Sequence, residues 1–295
     1  MKKTVFKGSG CAIATPFNSD GSINFEAFEN LINFQIENKT DAIVVMGTTG
    51  EASTLNDADH LRAIEFCVEK VAKRVPVVAG CGSNDTAHAV ALSKKAQALG
   101  ADALLHVTPY YNKTSQRGLV RHFMIVAEAL DIPVILYNVP SRTGLNIRPA
   151  SYLELSGHEN IVAVKEANGD ISSIVHTAAI CGSELGIYSG NDDQVVPVLS
   201  MGGLGVISVV ANVAPKAMHD LCALYFEGKT TESSKAQADI IELNDALFCD
   251  VNPIPVKHAL NLMGMNAGAV RLPLLETTDK NKELIKNVLE KYKLI

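Results

Sequence analysis

The stretch PVILYNVPSRTGLNIRPASYLELSGHENIVAVKEA, residues 133–167, shows the pattern that decides the fold. It begins with the apolar run 133–137 and reaches a second apolar run at 161–165. Short runs of this kind are typical of strands buried on both faces of a parallel sheet. Parallel neighbours need a crossover connection, so the intervening segment predicts a repeated βα unit.

The same unit recurs along most of the chain, with apolar runs roughly 20 to 35 residues apart. The predicted strands are 11–14, 42–46, 75–79, 103–107, 133–137, 161–165, 186–189 and 205–209. Helical patterns fill the gaps, for example behind Asn56, a candidate N-cap. Eight strands alternating with helices predict an α/β fold, a (β/α)₈ TIM barrel, over residues 1–225. The first strand is not followed by G-x-G-x-x-G, which disfavours a dinucleotide-binding sheet.

After residue 225 the strand pattern stops and helical stripes take over. The sequence therefore predicts a C-terminal helical appendage over residues 226–295. Two stripes define it, one made by Ile240, Leu243 and Leu247 and the other by Leu284, Val288 and Leu289. Between them the run NPIP at 252–255 breaks the chain and predicts the start of a third helix.

Composition excludes several classes of function. The net charge is −6 and the pI about 5.8, with no run of Lys and Arg, so nucleic acid and anionic membranes are not expected partners. No segment resembles a signal peptide or a membrane span, which predicts a cytoplasmic protein. The six cysteines and eight histidines are dispersed, so we expect reduced, space-filling cysteines, no metal site and no cofactor.

Polar residues cluster after the predicted strands, at the end of the barrel where catalysis takes place in this fold. The segments concerned are GTTGE at 47–51, TPYYN at 108–112, YNVPSRTG at 137–144, KE at 165–166 and GNDD at 190–193. The sequence therefore predicts one polar mouth built by at least five loops.

Lys165 is the sharpest signal in this mouth, because it ends a strand that has no other polar side chain. Apolar walls disfavour the ammonium form, which leaves a neutral amine able to attack a ketone and form a Schiff base. The plain alternative is a lysine that extends from the strand end into water. Tyr137 ends the neighbouring strand and favours the catalytic interpretation, since imine formation needs a nearby acid and base.

Two further features predict the kind of substrate. The turn GTTG at 47–50 offers two hydroxyls and backbone N–H groups to an anion, and Arg142 offers a two-pronged site for a second carboxylate. The glycine-rich run GGLG at 202–205 precedes its strand and so lies at the wrong end for a phosphate, while Asp192 and Asp193 would repel one. These features favour a small unphosphorylated keto acid.

These motifs, in this order, resemble the dihydrodipicolinate synthase family over essentially the whole chain, including NPIPVK at 252–257 and RLP at 271–273. The resemblance implies condensation of pyruvate with L-aspartate 4-semialdehyde, the first committed step toward diaminopimelate and lysine. It also implies a homotetramer built from two tight dimers.

The resemblance assigns roles residue by residue. Lys165 would carry the pyruvate Schiff base, and Tyr137, Thr48 and Tyr111 would relay protons, with Tyr111 coming from a neighbouring subunit. The implied substrate-binding residues are Thr49, Ile207 through its backbone, Gly190 and Arg142, the last for the carboxylate of the semialdehyde.

The feedback site for lysine in this family transfers incompletely. His60, Asn84 and Tyr110 match positions that line it in lysine-inhibited members. Asp57 and His88 stand where such members often have a histidine and a glutamate. Because a histidine does not offer a glutamate's charge to the amino group of lysine, we expect weak or absent inhibition.

Two other functions stay open at this point. Another lyase of the superfamily, such as N-acetylneuraminate lyase or a keto-sugar-acid aldolase, would keep Lys165 and Tyr137, although Arg142 and the Tyr110–Tyr111 pair suit a small charged aldehyde better. A catalytically silent barrel that binds keto acids is the alternative outside enzymes. Comparing turnover of aspartate semialdehyde with that of sialic acid tests for the other lyase. Borohydride trapping with pyruvate tests for the silent barrel.

Overall fold

The computed structural model describes residues 2–295, and within them eight parallel strands close into a barrel in chain order. This confirms the predicted (β/α)₈ fold. The strands are β1 (Gly8–Ala12), β2 (Ala42–Val45), β3 (Val77–Gly80), β4 (Ala103–Val107), β5 (Val134–Asn138), β6 (Ile161–Glu166), β7 (Gly186–Ser189) and β8 (Gly205–Ser208). The barrel closes where β8 pairs with β1.

Helices alternate with the strands and continue beyond the last one. They are α1 (Phe25–Glu37), α2 (Asp57–Val71), α3 (Thr86–Ala98), α4 (Gln116–Glu128), α5 (Pro140–Thr143), α6 (Pro149–Leu155), α7 (Ile171–Cys181), α8 (Val195–Ser200), α9 (Pro215–Phe226), α10 (Thr230–Asp239), α11 (Ile241–Leu247), α12 (Ile254–Leu262) and α13 (Asp279–Lys291). Asn56 caps α2 as predicted, because its side chain accepts a hydrogen bond from the N–H of Asp59 at 2.9 Å.

Several strand boundaries differ from the prediction by one residue, and two strands begin two or more residues from their predicted start. Strand β1 begins at Gly8, three residues before the predicted start at residue 11, and β3 begins at Val77 rather than residue 75. The first difference has a packing cause. A Cβ at Gly8 would lie 2.1 Å from the Asp41 carboxylate, and a Cβ at Gly10 would lie 2.7 Å from the Phe6 ring. Close packing therefore selects glycine there, and glycines hide the strand from an apolar pattern.

The buried apolar side chains form two layers, as the barrel architecture requires. One cluster lies inside the barrel and includes Ile135, Tyr137, Ala163 and Ile207. The other lies between the strands and the surrounding helices. Because alternate residues of a strand face the same side, Lys165 follows Ala163 into the interior.

The appendage is helical as predicted, with two corrections to its stripes. Leu284 is 42% exposed, and Ile285 is buried in its place on α13. Ile240, Leu243 and Leu247 are all buried, but Ile240 lies at a break between α10 and α11, so they do not share one helix. The predicted third helix is present as α12 and begins at Ile254.

Two findings concern membrane-spanning helices and the cysteines. None of the described helices combines the length and apolar character needed to cross a membrane. The six cysteines are free thiols, of which five are buried and Cys249 is partly exposed. This agrees with cysteines that fill space.

Candidate active site

Lys165 and Tyr137 lie side by side inside the mouth of the barrel. They are register partners on β6 and β5, and they are 5% and 7% exposed. The Lys165 Nζ lies 4.5 Å from the centre of the Tyr137 ring. The amine is therefore held in a nearly dry interior beside a phenol, the pairing that imine chemistry needs.

A buried carboxylate lies near this amine. Asp192 is 1% exposed and accepts hydrogen bonds from the Ser208 hydroxyl and, at 2.9 Å, from the N–H of Val209. Burial raises the pKa of Asp192, whereas these hydrogen bonds and the charge of Lys165 lower it. Asp192 thus adds a hydrogen-bonded acid group to the surroundings of the amine, in addition to its predicted repulsion of phosphate.

The turn at 47–51 closes on itself. The N–H groups of Gly50 and Glu51 donate to the carbonyls of Gly47 and Thr48, both at 3.1 Å, so these two donors are not free for a ligand. Within residues 2–295, the N–H groups of Thr48 and Thr49 have no acceptor. Two N–H groups of the turn, those of Thr48 and Thr49, are therefore available to an anion. The same two residues also carry the hydroxyls.

A cavity of about 390 Å³ opens beside Tyr137 and this turn. Thr48, Tyr137 and Arg142 line it, which brings three of the predicted catalytic and substrate-binding residues to one space. Its size lies in the range usual for small-molecule sites. Arg142 comes from the short helix α5 and donates from Nη2 to the carbonyl of Asn252 at 3.2 Å, which fixes one side of its guanidinium.

Gly190 and Ile207 flank the same end of the barrel. The N–H of Gly190 donates to the carbonyl of Glu166 at 2.7 Å, and a Cβ at this position would lie 2.7 Å from the Cβ of Ala167. Glycine is therefore required for β7 to approach the end of β6. Ile207 is fully buried on β8 inside the barrel.

The two tyrosines at 110–111 have different surroundings. Tyr110 lines the cavity. Tyr111 has a φ of 69° and is 93% exposed, so its side chain is not brought to the site of its own chain. A bulky residue in this backbone conformation is unusual, and large exposed apolar groups often mark interaction surfaces.

Of the three predicted effector residues, His60 and Tyr110 line the same cavity and Asn84 does not. His60 is buried, and its Nε2 lies 2.8 Å from the carbonyl of Gly80. Burial lowers the pKa of His60. Asp57 and His88 pair with each other, with 3.0 Å between carboxylate and imidazole. Asn84 donates to the carbonyl of Tyr110 at 3.1 Å.

Sequence reasoning missed a buried network behind Lys165. Glu166 faces away from the barrel interior and accepts hydrogen bonds from the Tyr152 hydroxyl at 2.7 Å, the Asn138 amide at 2.9 Å and the N–H of Asn168 at 3.0 Å. Burial raises the pKa of Glu166 to about 7. The signal available in the sequence was a second ionisable residue directly after Lys165 in the same apolar strand.

It also missed Lys257, whose ammonium is buried against Glu51 with 2.9 Å between them. Lys257 interrupts the apolar run 254–260 just as Lys165 ends its own run, so the same signal was present in the sequence. In the described chain these are the two lysines that are 5% exposed or less.

Comparison with known proteins identifies close relatives along the full chain. A sequence model of the "Dihydrodipicolinate synthetase family" matches residues 5–292. A protein of Thermoanaerobacter sp. (strain X514) named 4-hydroxy-tetrahydrodipicolinate synthase is 57% identical over 99% of this chain and 98% of its own length.

Solved structures agree with this match. Dihydrodipicolinate synthase from Thermotoga maritima is similar with a TM-score of 0.97 at 42% identity, covering 99% of this chain and all of the other. The chloride-inhibited enzyme of that name from Acinetobacter baumannii, solved as a complex with pyruvate, also gives 0.97, at 40% identity and with the same coverage.

Proposed function

This chain belongs to the dihydrodipicolinate synthetase family, and we propose that it condenses pyruvate with L-aspartate 4-semialdehyde to give 4-hydroxy-tetrahydrodipicolinate. It is a lyase of the class I aldolase type, and it acts in diaminopimelate and lysine biosynthesis. The observation that carries the chemistry is the Lys165 amine, buried inside the barrel mouth 4.5 Å from the Tyr137 ring.

Lys165 starts the reaction by attacking the keto carbon of pyruvate. The carbonyl oxygen leaves as water, and a protonated Schiff base remains on Nζ. Loss of a proton from the methyl group then gives an enamine, the carbon nucleophile that attacks the aldehyde. The amino group of the second substrate closes the ring on the imine carbon and releases Lys165.

Each step needs a proton moved to or from oxygen or carbon, and this is the role of Tyr137, Thr48 and Tyr111. Tyr137 and Thr48 line one cavity, which supports their part in a relay. The exposure of Tyr111 supports its supply to the active site of a second copy of the chain.

The substrates are held by their carboxylates. The N–H groups and hydroxyls of Thr48 and Thr49 suit the carboxylate of pyruvate, with the backbone of Ile207 and Gly190 completing this end of the site. Arg142 binds the carboxylate of the semialdehyde, for which a planar guanidinium is well matched.

The enzyme works as a cytoplasmic homotetramer, a dimer of dimers, with a catalytic barrel at 1–225 and a helical domain at 226–295. Large exposed apolar side chains support association, among them Tyr111, Leu272 at 75% and Leu275 at 67%.

Borohydride trapping tests the proposed function. Reduction in the presence of pyruvate should add about 72 Da to the chain, the mass of pyruvate less water plus two hydrogens, on the peptide that contains Lys165. Lys165→Ala should abolish the increase, and Lys216→Ala, an exposed lysine on α9, should retain it. An unmodified parent chain would refute the Schiff-base mechanism, and turnover of sialic acid in place of the semialdehyde would reassign the substrate.

A further inference from the structure

Lys257 is the most completely buried lysine of the described chain, and it has none of the roles assigned to the reaction. It belongs to α12, in the C-terminal segment, and is 1% exposed. Its ammonium donates to a Glu51 carboxylate oxygen at 2.9 Å and to the carbonyl of Ala269 at 2.7 Å. It also lies 4.2 Å from the centre of the Phe17 ring.

Glu51 joins this ion pair to the turn at 47–51. Its second carboxylate oxygen accepts a hydrogen bond from the N–H of Arg271 at 2.8 Å, so the C-terminal segment holds both oxygens. Glu51 is the last residue of the turn at 47–51, and its φ of 54° lies in the left-handed region that residues with a side chain rarely adopt. Such a conformation persists only where surrounding contacts impose it.

A second connection runs from the same segment to the same turn. The side-chain amide of Asn252 donates to the Thr49 hydroxyl at 3.0 Å, and its backbone carbonyl accepts from Arg142 at 3.2 Å. The C-terminal segment therefore contacts Thr49 and Arg142, one side chain proposed to bind each of the two substrate carboxylates.

The energetics of a buried ion pair point to a role in geometry. Desolvating two charges offsets most of their attraction, so such pairs add little stability compared with apolar groups of the same volume. Burial lowers the pKa of Lys257, and Glu51 opposes that effect. Its partner Glu51, however, is the last residue of the turn that carries Thr48 and Thr49. The ion pair therefore holds one end of this turn.

We propose that Lys257 is a positioning residue for the condensation: through Glu51 it fixes the turn at 47–51, so that Thr48 and Thr49 hold the pyruvate carboxylate in reach of Lys165. This inference rests on the proposed function. It adds a residue of the helical C-terminal segment to the machinery of the barrel, and it predicts a defect confined to one of the two substrates.

Lys257→Met tests this by removing the ammonium and keeping an unbranched side chain. Covalent catalysis by two successive substrates gives each substrate its own kcat/KM, so the two half-reactions can be separated. We expect kcat/KM for pyruvate to fall at least tenfold and kcat/KM for the semialdehyde to change less than threefold. Lys282→Met, which removes a partly exposed ion-paired lysine from α13, is the matched control and should leave both values unchanged.

The double variant Glu51→Gln with Lys257→Met separates positioning from folding. It removes the unpaired buried carboxylate of the single variant, so its thermal unfolding temperature should return toward that of the parent. If the single variant does not fold, the double variant still tests whether Lys257 positions the turn. Positioning requires that the pyruvate defect persists in the double variant.

Three results would overturn the proposal: recovery of the pyruvate defect together with stability, an equal loss for both substrates, or an unchanged kcat/KM for pyruvate in Lys257→Met. The proposed function is tested separately: absence of a borohydride adduct in the parent enzyme would contradict it.

Discussion

At the scale of single residues, the chemistry depends on what surrounds the Lys165 amine. The sequence identified Lys165 because a charged residue in an apolar strand is expensive unless it has a function. The same signal is present at Lys257, but a lysine inside a helical run is commonly explained by a stem that extends to water. Only the three-dimensional contact with Glu51, which is distant in sequence, shows that Lys257 is a buried lysine and not one whose stem extends to water.

Tyr137→Phe tests the acid and base role of the phenol next to this amine. The ring is packed inside the barrel, so the variant should keep the stability of the parent. Removing the hydroxyl should lower kcat by roughly 10² to 10⁴, the range expected for loss of a positioned proton donor. Steady-state kinetics measure this, with Tyr225→Phe as a control outside the site. A loss of less than tenfold would remove Tyr137 from the relay.

Lysine sensitivity is decided by a few side chains that line the cavity. The Asp57 carboxylate is paired with His88 at 3.0 Å, so it is already engaged, and neither residue offers a free carboxylate to an amino group. We expect less than twofold inhibition at millimolar lysine. Activity titrated with lysine measures this, and strong inhibition of the parent would contradict it. The double variant Asp57→His with His88→Glu should gain inhibition.

At the scale of elements, strand order and barrel closure were predictable because each strand is apolar and each gap is long enough for a helix. The start of β1 was not predictable in this way, because Gly8 and Gly10 are selected by close contacts with Asp41 and Phe6. Likewise, Leu284 fits a helical stripe in sequence, but the rotation of α13 on its neighbours buries Ile285 instead. Such boundaries depend on tertiary packing, which a local pattern does not contain.

Glu166 ties the ends of these elements together and gives a pH-dependent prediction. Burial raises its pKa from an ordinary 4.5 to about 7. The folded state therefore binds the proton more tightly than the unfolded state. Its contribution to stability is fully present below pH 4.5 and is lost as the pH rises to about 7. Glu166→Gln cannot ionise, so it avoids this loss.

The free energy of unfolding of Glu166→Gln, measured relative to the parent, should therefore rise between pH 5 and pH 8. The upper bound is about 3 kcal/mol, set by the interval between the two pKa values. Denaturant unfolding at one protein concentration measures this difference. Glu154→Gln, which removes an exposed carboxylate from α6, controls for the change in surface charge. A difference that stays constant with pH would contradict the prediction.

At the scale of the whole molecule, one chain does not contain a complete proposed site. Lys165 lies beside Tyr137, and Tyr137 and Thr48 line one cavity, whereas Tyr111 is 93% exposed. In a two-fold dimer, any residue that one chain lends to its partner is lent back by symmetry. Each active site would then combine three residues of one chain with Tyr111 of the other.

This arrangement predicts complementation between two defective variants. Lys165→Ala is inactive, and Tyr111→Phe impairs the relay, but a mixed dimer contains one site with an intact Lys165 and an intact Tyr111. Random assembly on co-expression makes half of the dimers mixed, so about a quarter of the parent activity per site should return. Assays of the co-expressed pair measure this against each variant alone. Lys165→Ala with Tyr137→Phe is the matched control, because both residues belong to one chain's site and mixing restores neither. Recovery in the control, or none in the test pair, would place Tyr111 outside its partner's active site.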